Sequence, residues 1–319
     1  ADSFASQGFV MVSIDLPMHG IVCPVDNLAC NPLLVQPGNE LGIVERNFYL
    51  DLFNNDSYEQ VPDGFVDDGG QILVASLTLP ELGRDILRQG AADMITLKRS
   101  LAVLDLDGDQ APDIDMTRIH HVSFSTGTLM GADFLGVEPG IATATLAHPG
   151  GTITDILLLD PEAKNFGRPL QQGLAGFGVI PGTLQYDQYV RDFQQVLDPG
   201  DPLSYAVAAA AMVPINAHQV LNDQTLVNSA SEKWAKAAGL APAGVPGAAD
   251  PAGVRAFITF DNGGHVSILD PAAEIVDADS GEVLTPANPA VTVEMQTQAV
   301  SFAVTNGTQL PITCTGSDC

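Results

Sequence analysis

Ser123-Phe124-Ser125-Thr126-Gly127 is the stretch on which the reading of this chain turns. The run before it, Thr117-Arg118-Ile119-His120-His121-Val122, has the apolar and β-branched character of a buried strand. The run after it, Thr128-Leu129-Met130-Gly131-Ala132-Asp133-Phe134-Leu135, predicts a helix. A serine on the sharp turn between strand and helix, with a small residue two places to either side, is a nucleophile elbow. The small neighbours are a steric requirement, because the serine is held in a strained backbone conformation and larger side chains would collide across the turn. The usual pattern has glycine at both flanking positions. Here the first is Ser123, and serine is among the few residues small enough to replace it.

Such a pentapeptide recurs by chance, and Ser125 alone reads equally well as a helix N-cap. The order of two further residues separates the readings. Asp223 lies in Leu221-Asn222-Asp223-Gln224-Thr225-Leu226-Val227-Asn228, after the apolar run Ala211-Met212-Val213-Pro214-Ile215. His265 lies in Asp261-Asn262-Gly263-Gly264-His265-Val266-Ser267, after Val254-Arg255-Ala256-Phe257-Ile258-Thr259-Phe260. Ser, then Asp, then His, each just past a predicted strand, is the triad order of an α/β-hydrolase. Asp223 by itself is also a turn former, as an aspartate after asparagine often is. His265, between a Gly-Gly pair and a strand end, sits where backbone freedom lets a ring reach into a site. Of the other histidines, His120 and His121 fall on the elbow strand, His148 precedes a proline in a loop, and His218 is a weaker acid-base candidate. The expected fold is α/β, a mostly parallel sheet flanked by helices, with a helical cap insertion and an early β-excursion.

Composition narrows the classes of function. The 319 residues suffice for one large α/β domain with insertions or for two small domains. With 39 acidic and 12 basic residues the net charge is −27, which repels phosphate backbones and anionic lipid surfaces and disfavours nucleic-acid binding. No apolar run approaches the roughly 20 residues that span a bilayer. The four cysteines fall into two local groups, Cys23 with Cys30 and Cys314 with Cys319. Four cysteines allow three pairings; local pairing is the simplest, and disulfides would place the protein outside the cytoplasm. The spacings are wrong for a zinc site of paired C-x2-C ligands.

Along the chain, residues 1–8 read as the end of a helix closing at Gly8, and Phe9-Val10-Met11-Val12-Ser13-Ile14-Asp15 as a strand. A strand ending in Asp before a His-Gly turn normally lies several elements into such a domain. The preceding strands, and the loop supplying one oxyanion-hole amide, are expected upstream, so either this is a fragment of a longer chain or those elements come from elsewhere. Residues 21–76 form the excursion, with a β-segment expected at Val44-Glu45-Arg46-Asn47-Phe48-Tyr49-Leu50-Asp51-Leu52. Arg84 to Leu104 has the spacing of an amphipathic helix. The loop Asp105-Leu106-Asp107-Gly108-Asp109-Gln110-Ala111-Pro112-Asp113-Ile114-Asp115 carries five carboxylates in eleven residues and invites a calcium reading. Its glycine stands fourth rather than sixth and Met116 replaces the EF-hand glutamate, so it reads as a solvated turn. Residues 151–210 are too long for a simple crossover. They are expected to form a cap, and a candidate lid, between core segments 1–150 and 211–319.

Several of these pieces together resemble the bacterial extracellular or virulence-factor lipase family of α/β-hydrolases. They are Asp15-Leu16-Pro17-Met18-His19-Gly20, Glu45-Arg46-Asn47-Phe48, Arg84-Asp85-Ile86-Leu87-Arg88-Gln89, Ser125-Thr126-Gly127, Gly264-His265-Val266-Ser267, and the tail from Glu294-Met295-Gln296 to Asn306-Gly307. The resemblance implies a lipid-ester hydrolase, often exported and sometimes surface-anchored, that needs no cofactor and no metal. Ser125 would be its nucleophile, His265 its base, Asp223 the orienting acid and the Thr126 backbone N–H an oxyanion donor. Phe124, His19, Phe166 and Phe177 are the expected substrate contacts. The alternatives are a phospholipase, lysophospholipase or polyester hydrolase with the same triad, or a hydrolase-like scaffold that binds without turnover.

Overall fold

The computed structural model describes residues 2–20, 24, 46–55, 61–67, 69, 77–243 and 255–314. Five strands form one parallel sheet: β1 (His120–Phe124), β2 (Thr143–Ala147), β3 (Ile215–Val220), β4 (Ala241–Ala243) and β5 (Arg255–Phe260), in the order β1-β2-β3-β5-β4. Strands β2 and β3 are buried along their whole length, as expected of strands covered on both faces. A short antiparallel hairpin, β6 (Ile275–Val276) and β7 (Val283–Thr285), stands apart from the sheet.

The period-2 alternation of strand side chains separates the two cores. Ala144 and Leu146 of β2, Ile215 and Ala217 of β3 and Phe257 of β5 pack against the helices of one face. Those helices are α2 (Pro80–Leu101), α3 (Thr126–Val137), α6 (Pro202–Met212) and α7 (Asn228–Ala237). Trp234 of α7 is fully buried there, its indole N–H donating to the Pro202 carbonyl. Ala147, Val220, Ala256, Ile258 and Phe260 point the other way, onto α8 (Pro289–Val304), whose Val291, Met295 and Phe302 are buried. A Leu146→Ala truncation in so closed a layer would cost about 2–5 kcal/mol. The N-terminal turn α1 (Asp2–Ala5) packs Phe4 onto Ala299 and Ala303 of α8.

Residues 151–210 hold a π-helical turn (Asp155–Leu159), α4 (Gly167–Gly176), α5 (Leu184–Leu197) and the N-terminal part of α6. The apolar faces of the π-helical turn, α4 and α5 join Leu87 of α2 and Leu129 and Met130 of α3 in a third cluster that includes Leu157, Leu170, Phe193 and Leu197, whereas α6 stays in the sheet-facing core. The outer side of the α4–α5 connection is apolar and open to solvent: Phe177 is 77% exposed and Leu184 72%.

The strands' common direction and register prepare the site. Phe124 lies beside Ala147, Ala147 beside His218, and His218 beside Ile258. The loops leaving β1, β2, β3 and β5 therefore open at one edge, the carboxyl edge, where ligands bind in parallel α/β sheets.

Three local expectations are corrected. Phe9–Asp15 is not paired in any sheet among the described residues. It lies across a cavity of about 780 Å³ from β1, with Val10, Ile14, Leu97, His121, Val122 and Phe124 among its lining. Arg46–Tyr49 turns rather than extends, Phe48 and Tyr49 both having φ of 55°; Val44 and Glu45 lie outside the described residues. The run Ala211–Ile215 is not one strand, because Ala211 and Met212 end α6 and the strand begins at Ile215, after Pro214. In the acidic loop, Asp105 accepts from the Gly108 and Gln110 amides, Asp107 from Asp109 and Asp109 from Ala111, so these carboxylates cap their own turn. Cys23, Cys30 and Cys319 lie outside the described residues.

Candidate active site

Ser125 stands between β1 and α3 with φ 51° and ψ −126°, a conformation that L-residues rarely adopt and that surrounding contacts must hold. Its N–H donates to the Ala147 carbonyl at 3.0 Å. Its own carbonyl accepts from the Thr128 hydroxyl at 2.6 Å, a hydroxyl that also lies 2.8 Å from the His148 carbonyl. The serine in place of the first elbow glycine is accommodated. A Cβ on Gly127 would come 3.6 Å from the Ser123 Cβ, an ordinary van der Waals contact, so the two positions do not crowd each other, and the Ser123 hydroxyl pairs with His121 Nε2 at 2.9 Å. Thr126 opens α3, where a backbone N–H has no partner within the helix.

His265 follows two glycines, and both are required. Gly263 has φ 94°, and a Cβ on Gly264 would lie 2.6 Å from the Glu274 backbone nitrogen. The Gly264 N–H donates to the Ser267 hydroxyl at 2.7 Å, fixing the turn. The ring is thereby delivered over the elbow: His265 Nε2 lies 2.7 Å from Ser125 Oγ, and His265 Nδ1 lies 2.6 Å from Asp223 Oδ2. With Nδ1 as the donor to the carboxylate, Nε2 is left to accept the serine proton.

Asp223 sits on the turn after β3, preceded by Asn222 at φ 61°. It is buried, and its Oδ1 accepts from the Thr225 and Leu226 amides at 2.9 and 3.2 Å. Burial alone would push its carboxyl up, but the charge of His265 and the N–H groups of His148 and His265 outweigh it and hold the group well below the usual carboxylate range. Asp223 is therefore an anion at neutral pH. A hydroxyl, an imidazole and a buried carboxylate in one hydrogen-bonded line are the constellation of a serine hydrolase.

The fold is that of an α/β-hydrolase.

A second histidine reaches the carboxylate. His148, one residue past β2, is completely buried and has φ 59°. Its Nδ1 lies 3.0 Å from Asp223 Oδ2, at ion-pairing distance but too oblique for an aligned hydrogen bond, and its ring centre is 4.8 Å from that of His265. Burial holds it neutral, pulling its pKa down despite the neighbouring Asp223. Its position before a proline gave no sign of this role; the register of β2 beside β1 and β3 creates it. The nitrogen and oxygen atoms of His148, Asp223 and His265 lie within 4.8 Å of one another. Both Asp223 oxygens already accept hydrogen bonds, Oδ1 from the Thr225 and Leu226 amides and Oδ2 from His265.

The remaining sequence-predicted contacts are dispersed. The Phe124 ring packs 5.2 Å from that of His265 and forms one wall of the triad. His19 is paired with the Pro17 carbonyl at 3.0 Å. Phe166 packs half-buried against the cluster of Leu157 and Leu170, and Phe177 stands in solvent. His120 and His121 serve the elbow strand. His120 pairs with the Thr143 hydroxyl at 2.8 Å, and burial lowers both rings to about 4, so they are neutral. His218 is buried against Gln298 at 2.9 Å and takes no part in the triad.

No protein-family model and no curated protein matches the chain. Solved structures with a similar fold include a puromycin-hydrolyzing peptidase of Mycobacterium tuberculosis, 17% identical with a TM-score of 0.41, over 71% of this chain and 28% of that one. An acylaminoacyl peptidase in complex with a chloromethyl ketone is 14% identical with a TM-score of 0.38, over 86% and 31%. The enol-lactonase of Burkholderia xenovorans is 16% identical with a TM-score of 0.31, over 57% and 67%. The chain thus spans little more than a quarter of the peptidase. These are distant likenesses of fold, and they do not single out the lipase family.

Proposed function

We propose that the chain hydrolyses carboxylic esters of lipids through an acyl-enzyme. The observation that carries the reading is the unbroken line Ser125 Oγ to His265 Nε2 at 2.7 Å and His265 Nδ1 to Asp223 Oδ2 at 2.6 Å. Ser125 Oγ attacks the ester carbonyl carbon as its proton passes to His265 Nε2. Asp223 keeps Nδ1 protonated and stabilises the imidazolium. The Thr126 N–H donates to the developing oxyanion, an interaction whose loss typically costs about 10²–10³ in turnover. The C–O bond then breaks and the alcohol leaves with the proton from His265. Water, deprotonated by the same nitrogen, attacks the acyl-enzyme and releases the acid and Ser125. No step calls for a cofactor.

The ester and lipid part of the reading rests on the segments that resemble the lipase family and on the apolar character of residues 151–210. In this account they form a cap over the nucleophile, and the exposed Phe177, Ile180 and Leu184 offer greasy surface to an insoluble substrate. Phe124, whose ring packs against His265, would line the acyl site. Local pairs Cys23–Cys30 and Cys314–Cys319, and an extracellular or outer-surface location, complete the proposal.

The test is hydrolysis of p-nitrophenyl esters from C2 to C16, with peptide p-nitroanilides in parallel and Ser125→Ala as control. Ester turnover that disappears in the variant, with a long-chain optimum, is the expected result. Folded protein that cleaves anilides but not esters would reassign the substrate, and folded protein that cleaves neither would overturn the reading.

A further inference from the structure

The neutral, buried ring of His148 is unusual in lying against the catalytic carboxylate without belonging to the triad order. Four observations converge on it. Its Nδ1 is 3.0 Å from Asp223 Oδ2, the same oxygen that faces His265 Nδ1 at 2.6 Å. Its backbone N–H donates to the His218 carbonyl at 2.7 Å, tying it to β3. Its backbone carbonyl lies 2.8 Å from the Thr128 hydroxyl that also bonds the Ser125 carbonyl, tying it to the elbow. Neither of its ring nitrogens has an aligned hydrogen-bond partner among the described residues, so nothing else there occupies the ring's polar atoms. One residue is therefore fastened to the strand that precedes the acid and to the nucleophile's turn, with its ring set 3.0 Å from the acid itself.

We propose that His148 is a positioning residue that offers a second imidazole N–H to Asp223, dividing that carboxylate's charge between two rings and fixing its rotamer for His265. The inference rests on the serine-hydrolase reading of the site. With two amides on Oδ1 and one imidazole on Oδ2, the carboxylate has one further lone pair on Oδ2, and it is this oxygen that the second ring approaches at 3.0 Å. The arrangement also fixes the tautomer of His148, with the proton on Nδ1 and Nε2 bare within the wall. A charged His148 would stand 4.8 Å from the imidazolium that forms on His265, so the residue works only as the neutral ring that burial enforces. The titratable groups facing it are Asp223, His265 and, from β3, His218, which is itself buried and neutral; Phe124 of β1 completes its surroundings as an apolar ring 6.4 Å away.

His148→Phe keeps the ring and removes the donor, whereas His148→Asn keeps a donor near Nδ1 and removes most of the ring. With the donor gone, the Asp223 charge falls wholly on His265. The acid limb of the kcat/KM profile then moves to higher pH by roughly half a unit to one unit, and kcat falls about tenfold with KM unchanged. His148→Asn restores both towards wild type. A packing role predicts the opposite ranking, with phenylalanine tolerated and asparagine impaired, and that ranking would overturn the inference. A second readout needs no turnover: in protein carrying 15N-labelled histidine, two downfield imidazole N–H resonances should respond together to Asp223→Asn. In His148→Phe one should vanish while the other shifts. If His148→Phe leaves the His265 resonance unmoved, the inference fails whether or not the wild type cleaves esters; if the resonances behave as expected but no ester is cleaved, the ester reading fails and the positioning role stands.

Discussion

His265 Nε2 and Ser125 Oγ lie 2.7 Å apart although 140 residues of chain separate them. The contact is made by backbone features at both ends: a positive φ at Ser125 that lifts the hydroxyl off the end of β1, and the Gly263-Gly264 pair that brings the imidazole back from the end of β5. Parallel register then brings the loops that carry them to the same edge of the sheet.

The orienting acid is the first point of attack. Asp223→Asn keeps the shape of the side chain but favours the wrong tautomer of His265, and ester turnover should fall by about 10⁴. The variant should remain folded by circular dichroism. Because the carboxyl of Asp223 is held well below the ordinary range, it stays ionised across the working range. Lowering the pH from 7 to 5 should therefore not titrate it, and activity lost there is not protonation of Asp223.

Gly264 is a purely steric prediction. An added Cβ would sit 2.6 Å from the Glu274 nitrogen and 2.7 Å from its carbonyl oxygen, backbone atoms that cannot swing aside. Gly264→Ala should lower Tm measurably and reduce kcat by more than tenfold, because a displacement of about 1 Å at His265 breaks the line to Ser125. Gly173→Ala, within α4 and with nothing inside 4 Å of the added carbon, is the matched control: it should leave kcat unchanged and raise Tm slightly, as Gly→Ala in a helix does.

Asp133 carries a stability prediction. It is buried in α3, and neither carboxylate oxygen has a hydrogen-bond partner among the described residues. Burial, reinforced by Asp201, pushes its pKa up from 3.8 to about 9. The native state therefore keeps a proton that the unfolded chain releases above about pH 4, and this group's contribution to stability declines as pH rises from there towards 9. Asp133→Asn removes the titration and should be more stable than wild type at pH 8 by about 1–3 kcal/mol, with a smaller gap at pH 5. Urea unfolding at the two pH values measures it; a gap that does not widen with pH would refute the assignment.

How much of this was legible in the sequence follows the physics of each element. The meeting of Ser125, Asp223 and His265 was, because each lies in a loop past an apolar run and the three such loops open at one edge of a parallel sheet. The amphipathic helix expected over Arg84–Leu104 was as well, found as α2 over Pro80–Leu101, since Leu87 and Ala91 share a buried face. The apolar run Ala211–Ile215 misled because hydrophobicity alone does not separate the buried end of a helix from the start of a buried strand, and Pro214 marks the break. Phe9–Asp15 has strand character but needs a paired neighbour to become one, which a local pattern cannot supply. His148 was invisible as a site residue, because its place beside Asp223 is created by the register of three strands distant in sequence.

The most direct test of the account is covalent labelling by a fluorophosphonate, with the modified residue located by mass spectrometry. The account predicts near-stoichiometric phosphonylation of Ser125, no labelling of Ser125→Ala, and strongly slowed labelling of Asp223→Asn. Folded wild-type protein that leaves Ser125 unmodified, or that is labelled equally well when Ser125 is alanine, would contradict it.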